Sequence, residues 1–528
     1  MRADGLLALV LCLGLCPPAV AQSVRDAGAP YDRMLEEARI RFHLPGIALG
    51  VIEDGRIVYR RGAGETVAGS GIPVTPSTLF EIGSNSKAMT TALLGRLAAQ
   101  GRLRWDDPVT RHLPEFRMHD PWVTAQMRVG DLLTHSSGLP EGGGDLMLWP
   151  APNAYTRADI LHALRYLKPA YGFRSEYRYD NLLYVVAGEV AAAAGGAPYE
   201  VLLRREVLQP LGLDRCQVGA WNRDTVGNIA LPHRREGDRN IAIEPEDPQV
   251  PASTSAAAGG VSCDLDAMLR WARNWLDPTP AELAWLPEEQ RRILQSPHMP
   301  IPIDAFERRF NRTHVFAYGY GWRMADVDGQ WVVWHTGTLD GMYSMLALLP
   351  DRRSGFVFLI NGDAEQARKA LGQALLKHFI DPDDTRGVAG WAALQASATG
   401  ARPSHAPDTA PSVPVDRAEV EGLLGRYVDP WLGEARLCAE DGAVRFDVAK
   451  SPRLSGRLRR LGARLFIAWD SPGVGTDAWL DPVPPSSGQA AQLRLSKLDP
   501  EADFSADFED LHFRRTGDCP GPARPSAP

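Results

Sequence analysis

Residues 80–91 read Phe80-Glu-Ile-Gly-Ser84-Asn-Ser86-Lys87-Ala-Met-Thr-Thr91, a strand end running into a helix. Ser84 falls on the first helical turn and Lys87 three residues later. Positions i and i+3 share a helix face, so the lysine amine can reach the serine hydroxyl. A hydroxyl is a poor nucleophile unless a base sits within hydrogen-bond reach. An amine becomes that base only when burial or nearby positive charge lowers its pKa by about 3 units, at a cost of about 4 kcal/mol. The helix start works in the same direction, and its free N–H groups suit an oxyanion. Taken alone, the tetrad also fits an N-cap serine followed by a solvated cation. Lysine is scarce, however: Lys87, Lys168, Lys369, Lys377, Lys450 and Lys497 are all of them in 528 residues.

Working outward, Met89, Leu93, Leu94, Leu97 and Ala98 give this helix a broad apolar stripe that ends at Gly101. Upstream, Tyr31–Phe42 has helical periodicity, and Ile47–Glu53 and Arg56–Gly62 flank Asp54-Gly55, the dipeptide of a tight hairpin. Downstream, a short helix over Val129–Thr134 precedes a turn-rich loop from His135 to Gly144. Tyr177–Gly195 combines Tyr179-Asp180-Asn181 with a long apolar helix, and further helices are expected over Tyr199–Leu211 and Asp264–Trp275, with Asp264 as N-cap. The pattern then returns to β over Tyr320–Met324, Trp331–His335, Met342–Leu349 and Gly355–Ile360, and a helix over Asp363–Phe379 closes the segment. Strands at both ends with helices between predict one antiparallel sheet in which the N- and C-terminal strands pair.

Residues Ala401–Pro414 are rich in Pro, Ala, Ser and Thr without periodicity, and from Val420 to Thr516 short strands alternate with turn dipeptides. The expected layout is a signal peptide over 1–21, a catalytic domain over 22–385, a linker over 386–415, an all-β domain over 416–517 and a flexible tail over 518–528. Arg2, the apolar run Leu6–Leu15 and Ala19-Val20-Ala21 have the form of a cleavable secretory signal, with cleavage near Ala21 and a periplasmic or secreted destination. No later run is a stable membrane span. A net charge of -8 gives no basic field for nucleic acid. Past the signal, Cys216, Cys263, Cys438 and Cys519 allow three pairings. The favoured one, Cys216 with Cys263 and Cys438 with Cys519, keeps both bridges inside the proposed domains.

Two further motifs bear on the tetrad. Tyr179-Asp180-Asn181 has the form Y-x-N, in which a phenol can pass protons among serine, lysine and leaving group while an amide orients the lysine. His335-Thr336-Gly337 ends a β run, and Gly337 leaves room for a substrate along the strand edge. Each alone also fits a packed tyrosine or a strand-end histidine.

In the order S-x-x-K, Y-x-N, H-T-G, the set resembles the serine β-lactamase and penicillin-binding protein superfamily. More closely, it is similar to class C β-lactamase-related serine hydrolases, which include D-aminopeptidases, D,D-peptidases and family VIII carboxylesterases. The likeness covers about Tyr31 to Phe379, with Leu132–Gly138, Ala258-Gly-Gly260 and His335–Gly341 as further matching pieces. It implies an α/β (α+β) fold, an antiparallel sheet flanked by helices with an all-helical region, followed by a small barrel-like domain of lipocalin-like type.

By the same resemblance, Ser84 is the nucleophile, Lys87 its base, Tyr179 the proton shuttle and Asn181 the amide-binding residue. Thr336 and Gly337 contact substrate, and the N–H groups of Ser84 and Thr338 form the oxyanion hole. His335 stands where many relatives have lysine, and is expected to bind or polarise a substrate carboxylate when charged. No metal and no cofactor are implied. The expected substrate is a small molecule or short peptide bearing a D-residue, with a homo-oligomer left open. The alternatives are an esterase of the same fold, and a non-catalytic cell-wall or penicillin-binding protein. A C-terminal domain that restricts access to the cleft is a further expectation.

Overall fold

The computed structural model describes residues 19–520 apart from 246, 382, 400–404 and 484–489. Most of the expected signal peptide and the end of the expected tail lie outside the described residues.

The hairpin predicted at Asp54-Gly55 forms: strands Gly46–Glu53 and Arg56–Gly64 join through Asp54 and Gly55, both at positive φ (48° and 76°). They make one edge of an eight-stranded antiparallel sheet. Its order continues through Ser354–Ile360, Met342–Leu349, Gln330–Leu339, Arg323–Val327, Phe316–Tyr318 and Met299–Pro300. The first and last long strands pair in register, Ile47 opposite Ile360 and Val51 opposite Phe356. This closure puts the two ends of the catalytic domain side by side and makes the helical segment between them an insertion on one face.

The sheet is covered on both faces. On one, the helices Ala19–Arg41, Glu365–Ile380 and Gly387–Thr399 bury Tyr31, Leu35, Leu371, Leu375 and Trp391 against Val51, Phe356 and Phe358. On the other lie the helix Leu265–Leu276, capped by the Asp264 carboxylate on Ala267 N–H at 2.7 Å, and the helix Ser86–Ala99. The expected linker, 386–415, is therefore not all linker. Its first part is a helix whose Trp391 is buried beside Phe306 and Phe310, so apolar contact holds it on the catalytic body.

Cys216 is bonded to Cys263 and Cys438 to Cys519, the pairing favoured from the sequence. Two disulfides fit an oxidising environment. Among the described residues no single helix is long and apolar enough to cross a membrane.

Beyond Pro414, eight strands from Gly425–Asp429 to His512–Gly517 form a closed antiparallel barrel, because Ser451–Leu461 pairs with Arg464–Trp469 as well as with Ala443–Val448. The barrel docks on the helical region. Ala154 N–H donates to Lys450 O (2.7 Å), the Tyr155 hydroxyl to Leu432 O (2.7 Å), and Lys450 pairs with Asp159 (2.7 Å). Apolar side chains of both bodies belong to one continuous core.

Candidate active site

A 3₁₀ turn, Gly83–Asn85, carries Ser84 into the helix Ser86–Ala99. The turn is pinned against the strand that bears His335-Thr336-Gly337. Asn85 Nδ2 donates to Ser344 Oγ (2.7 Å), and the Ser344 hydroxyl donates to Ile82 O (2.8 Å). Gly83 sits at φ 52°, where a Cβ would come within 2.9 Å of Thr338 N. A Cβ on Gly337 would lie 2.0 Å from Ile82 O. Both glycines are thus dictated by the approach of turn to strand, and that approach brings the turn that carries Ser84 beside the backbone of Thr338.

Lys87 is fully buried, and its Nζ contacts three oxygens: Ser84 Oγ at 3.1 Å, Asn181 Oδ1 at 2.7 Å and Ala258 O at 2.8 Å. The rings of Tyr179 and Tyr184 flank it at 4.8 and 5.1 Å. Burial drives its pKa down to about 7, with Arg323 pushing the same way and Asp145 and Asp180 opposing. A substantial fraction of the amine is therefore neutral near neutral pH, and the neutral form can accept the Ser84 proton. Tyr179 is buried and its pKa is raised by that burial, so it stays a phenol. Of the two groups, the lysine amine is the one whose pKa suits proton acceptance near neutral pH, and the phenol keeps a proton that it can donate.

Asn181 precedes the helix Leu182–Gly195. Its amide spans two groups: Oδ1 accepts from Lys87 Nζ and Nδ2 donates to Asp145 Oδ2 at 2.8 Å. The structure thus brings Ser84, Lys87, Tyr179 and Asn181 into one cluster, with Ser84 half-buried and reachable.

His335 departs from its expected role. Its Nε2 meets the Tyr318 hydroxyl (2.8 Å) and its Nδ1 meets Thr336 O (2.7 Å). The carbonyl can only accept, which puts the proton on Nδ1 and makes Nε2 the acceptor. Burial, with Arg323 and Lys87 nearby, holds its pKa well below the usual histidine value. The ring is neutral and both nitrogens are occupied, so it carries no charge for a carboxylate. The positive charge at this end of the site belongs instead to Arg323, which donates to Thr336 Oγ1 (3.2 Å) and lies 5.6 Å from the Tyr179 ring centre. Arg368 adds a second cation, donating to Gly337 O at 2.8 Å and Thr338 Oγ1 at 2.5 Å.

Arg323, Arg368 and Asp145 were missed because none lies in a spaced motif. The one available signal for Arg323 was its place on the strand next to His335-Thr336-Gly337. His135 and Asp180 support the cluster from beneath: His135 Nδ1 accepts from Asp180 N–H (3.0 Å), and Asp180 accepts from the Ser137 hydroxyl (3.0 Å). Among the described residues, no group of three or more His, Cys, Asp or Glu is placed to hold a metal ion.

The Beta-lactamase family model matches residues 31–378. An unguisins hydrolase of Aspergillus campestris is 26% identical over 375 residues, covering 67% of this chain and 66% of that protein. Protein flp of Staphylococcus aureus is 25% identical over 358 residues, covering 66% of this chain and 65% of its own length. The chain therefore spans just under two thirds of the length of these relatives. The octameric penicillin-binding protein homologue from Pyrococcus abyssi aligns with a TM-score of 0.56 at 17% identity, over 93% of this chain and 100% of that one, a likeness of fold.

Proposed function

This chain belongs to the β-lactamase family, and from that premise we propose that it is a serine hydrolase that forms an acyl-enzyme on Ser84. The observation that carries the proposal is the buried Lys87 amine, with its pKa near 7, held 3.1 Å from Ser84 Oγ. Neutral Lys87 removes the Ser84 proton as Oγ bonds to the substrate carbonyl carbon. The N–H groups of Ser84 and Thr338 receive the oxyanion. As the C–N or C–O bond breaks, the Tyr179 hydroxyl passes its proton to the leaving group and regains one from Lys87. A water then attacks the ester carbonyl with the same groups running in reverse, and Ser84 is released with its proton.

The preferred substrate is a small amide or peptide ending in a D-residue, with its carboxylate met by Arg323. A fixed guanidinium at the substrate-binding strand, beside a neutral His335, supports an anionic substrate over a neutral ester. The disulfides support an exported enzyme, periplasmic or secreted, and the octameric structural relative supports a homo-oligomer, which light scattering on the purified protein tests.

The deciding experiment compares wild type with Ser84→Ala on a fluorescent penicillin, a D-alanyl anilide whose ring bears a carboxylate, a p-nitrophenyl ester and a chromogenic cephalosporin. Turnover of the anilide that depends on Ser84 is the expected result. A protein that turns over none of them and takes no Ser84-dependent label is not a hydrolase of this kind, and one that turns over only the ester is an esterase.

A further inference from the structure

The barrel does more than cover the catalytic domain. Between its last two strands, Gln492–Lys497 and His512–Gly517, the chain dips into the site. Phe504 packs on Tyr179 at 5.9 Å between ring centres. The Ser505 hydroxyl donates to Asp145 Oδ2 at 2.8 Å, and the Asp507 carboxylate accepts from Gly144 N–H at 2.6 Å. The catalytic domain makes room for this loop: Gly142 is at φ 71°, and a Cβ there would lie 2.7 Å from Phe504 O. Asp145 is fully buried, and its Oδ2 accepts from both Asn181 and Ser505 while its Oδ1 has no hydrogen-bond partner.

We infer that Ser505 is a positioning residue supplied by the barrel, acting through Asp145 and Asn181 to set the place and charge state of Lys87. The chain of contacts is continuous: Ser505 hydroxyl to Asp145 Oδ2, Asn181 Nδ2 to the same oxygen, and Lys87 Nζ to Asn181 Oδ1. This inference rests on Lys87 being the base for Ser84. Burial pushes the Asp145 pKa well above its ordinary value, and the hydrogen bonds from Asn181 and Ser505 oppose that rise. Losing the Ser505 hydroxyl therefore favours protonated Asp145, which removes a negative charge near Lys87 and lowers the lysine pKa further. The other charged or titratable groups that face Lys87 are Asp180, Arg323, His135 and His335, with the phenols of Tyr179 and Tyr184, and the carboxylates of Asp180 and Asp507 face Asp145.

The test is the rate at which a fluorophosphonate labels Ser84 as a function of pH, in the full-length protein. This reagent needs an activated hydroxyl and no particular acyl group, so an error about the substrate leaves the readout intact. Ser505→Ala is expected to slow labelling at the wild-type optimum by about fivefold or more and to move the acid limb to lower pH, with an unchanged melting temperature. Ser505→Thr, which keeps the hydroxyl, restores both. Asp145→Asn moves the limb in the same direction. Identical profiles for wild type and Ser505→Ala, or a slowing that Thr does not rescue and that tracks a fall in melting temperature, overturn the inference. A wild type that takes no label overturns it together with the nucleophile assignment, whereas a wild type that takes the label but turns over none of the proposed substrates overturns the substrate class alone.

Discussion

The proposed mechanism turns on Lys87, whose charge state is set by opposed forces. Desolvation lowers its pKa to about 7, Arg323 adds to that, and Asp145 and Asp180 resist it. Acylation requires the neutral amine, so its rate should rise with pH through a limb centred near 7. A flat acylation rate between pH 5.5 and 8.5 in stopped-flow measurements would exclude lysine as the base. Arg323→Met removes a positive neighbour, and the limb should then move to higher pH. The same variant should raise KM for a carboxylate-bearing anilide while leaving a neutral ester little changed. Equal losses on both would place Arg323 outside substrate recognition. Tyr179→Phe keeps the ring against Phe504 and removes only the transferable proton, so kcat should fall about 10²- to 10⁴-fold with folding intact by circular dichroism. Ser84, Lys87, Tyr179 and Asn181 were legible in the sequence because local spacing fixes two of them on one helix and two beside another. The neutrality of His335 was not, since it depends on Tyr318 from a strand two removed in the sheet order and on burial that no spacing encodes.

At the scale of elements, the site exists where a turn meets a strand edge. Gly337 faces Ile82 O and Ser344 across this contact, and Gly83 faces Thr338 N. Gly337→Ala must push the Ser84 turn away from the strand, separating the two N–H groups of the oxyanion hole. Loss of one such donor is worth about 10²- to 10³-fold in kcat. That variant should lose turnover on that scale while keeping its far-ultraviolet spectrum, and wild-type turnover would show that the turn does not need the close approach. The hairpin at Asp54-Gly55, the Asp264 cap and the pairing of terminal strands were all readable from local pattern. The helix Gly387–Thr399 was not, because its composition resembles a linker and only the docking of Trp391 between Phe306 and Phe310 reveals a packed element.

At the scale of the molecule, two bodies share one apolar core, and the barrel loop reaches the catalytic cluster. Cooperative unfolding follows: calorimetry should give a single transition for catalytic domain and barrel together, and two well-separated transitions would show that they are independent. The Cys216–Cys263 bond closes 47 residues, a loop for which chain entropy predicts about 4 kcal/mol. Reducing it, or replacing both cysteines with alanine, should lower the melting temperature measurably with the barrel bridge intact.

Residue order and periodicity alone were enough to place Ser84 beside Lys87, to pair the terminal strands in one sheet and to mark the change to an all-β domain, and they favoured one of three cysteine pairings, because each is written in neighbouring residues or in periodicity. Only the tertiary structure decided which cation stands at the substrate strand and which residues hold Lys87 from behind. Asp145 and Ser505 lie 360 positions apart. Their hydrogen bond arises from docking one folded body on another, and that docking is a matter of shape and buried surface that local sequence pattern does not carry.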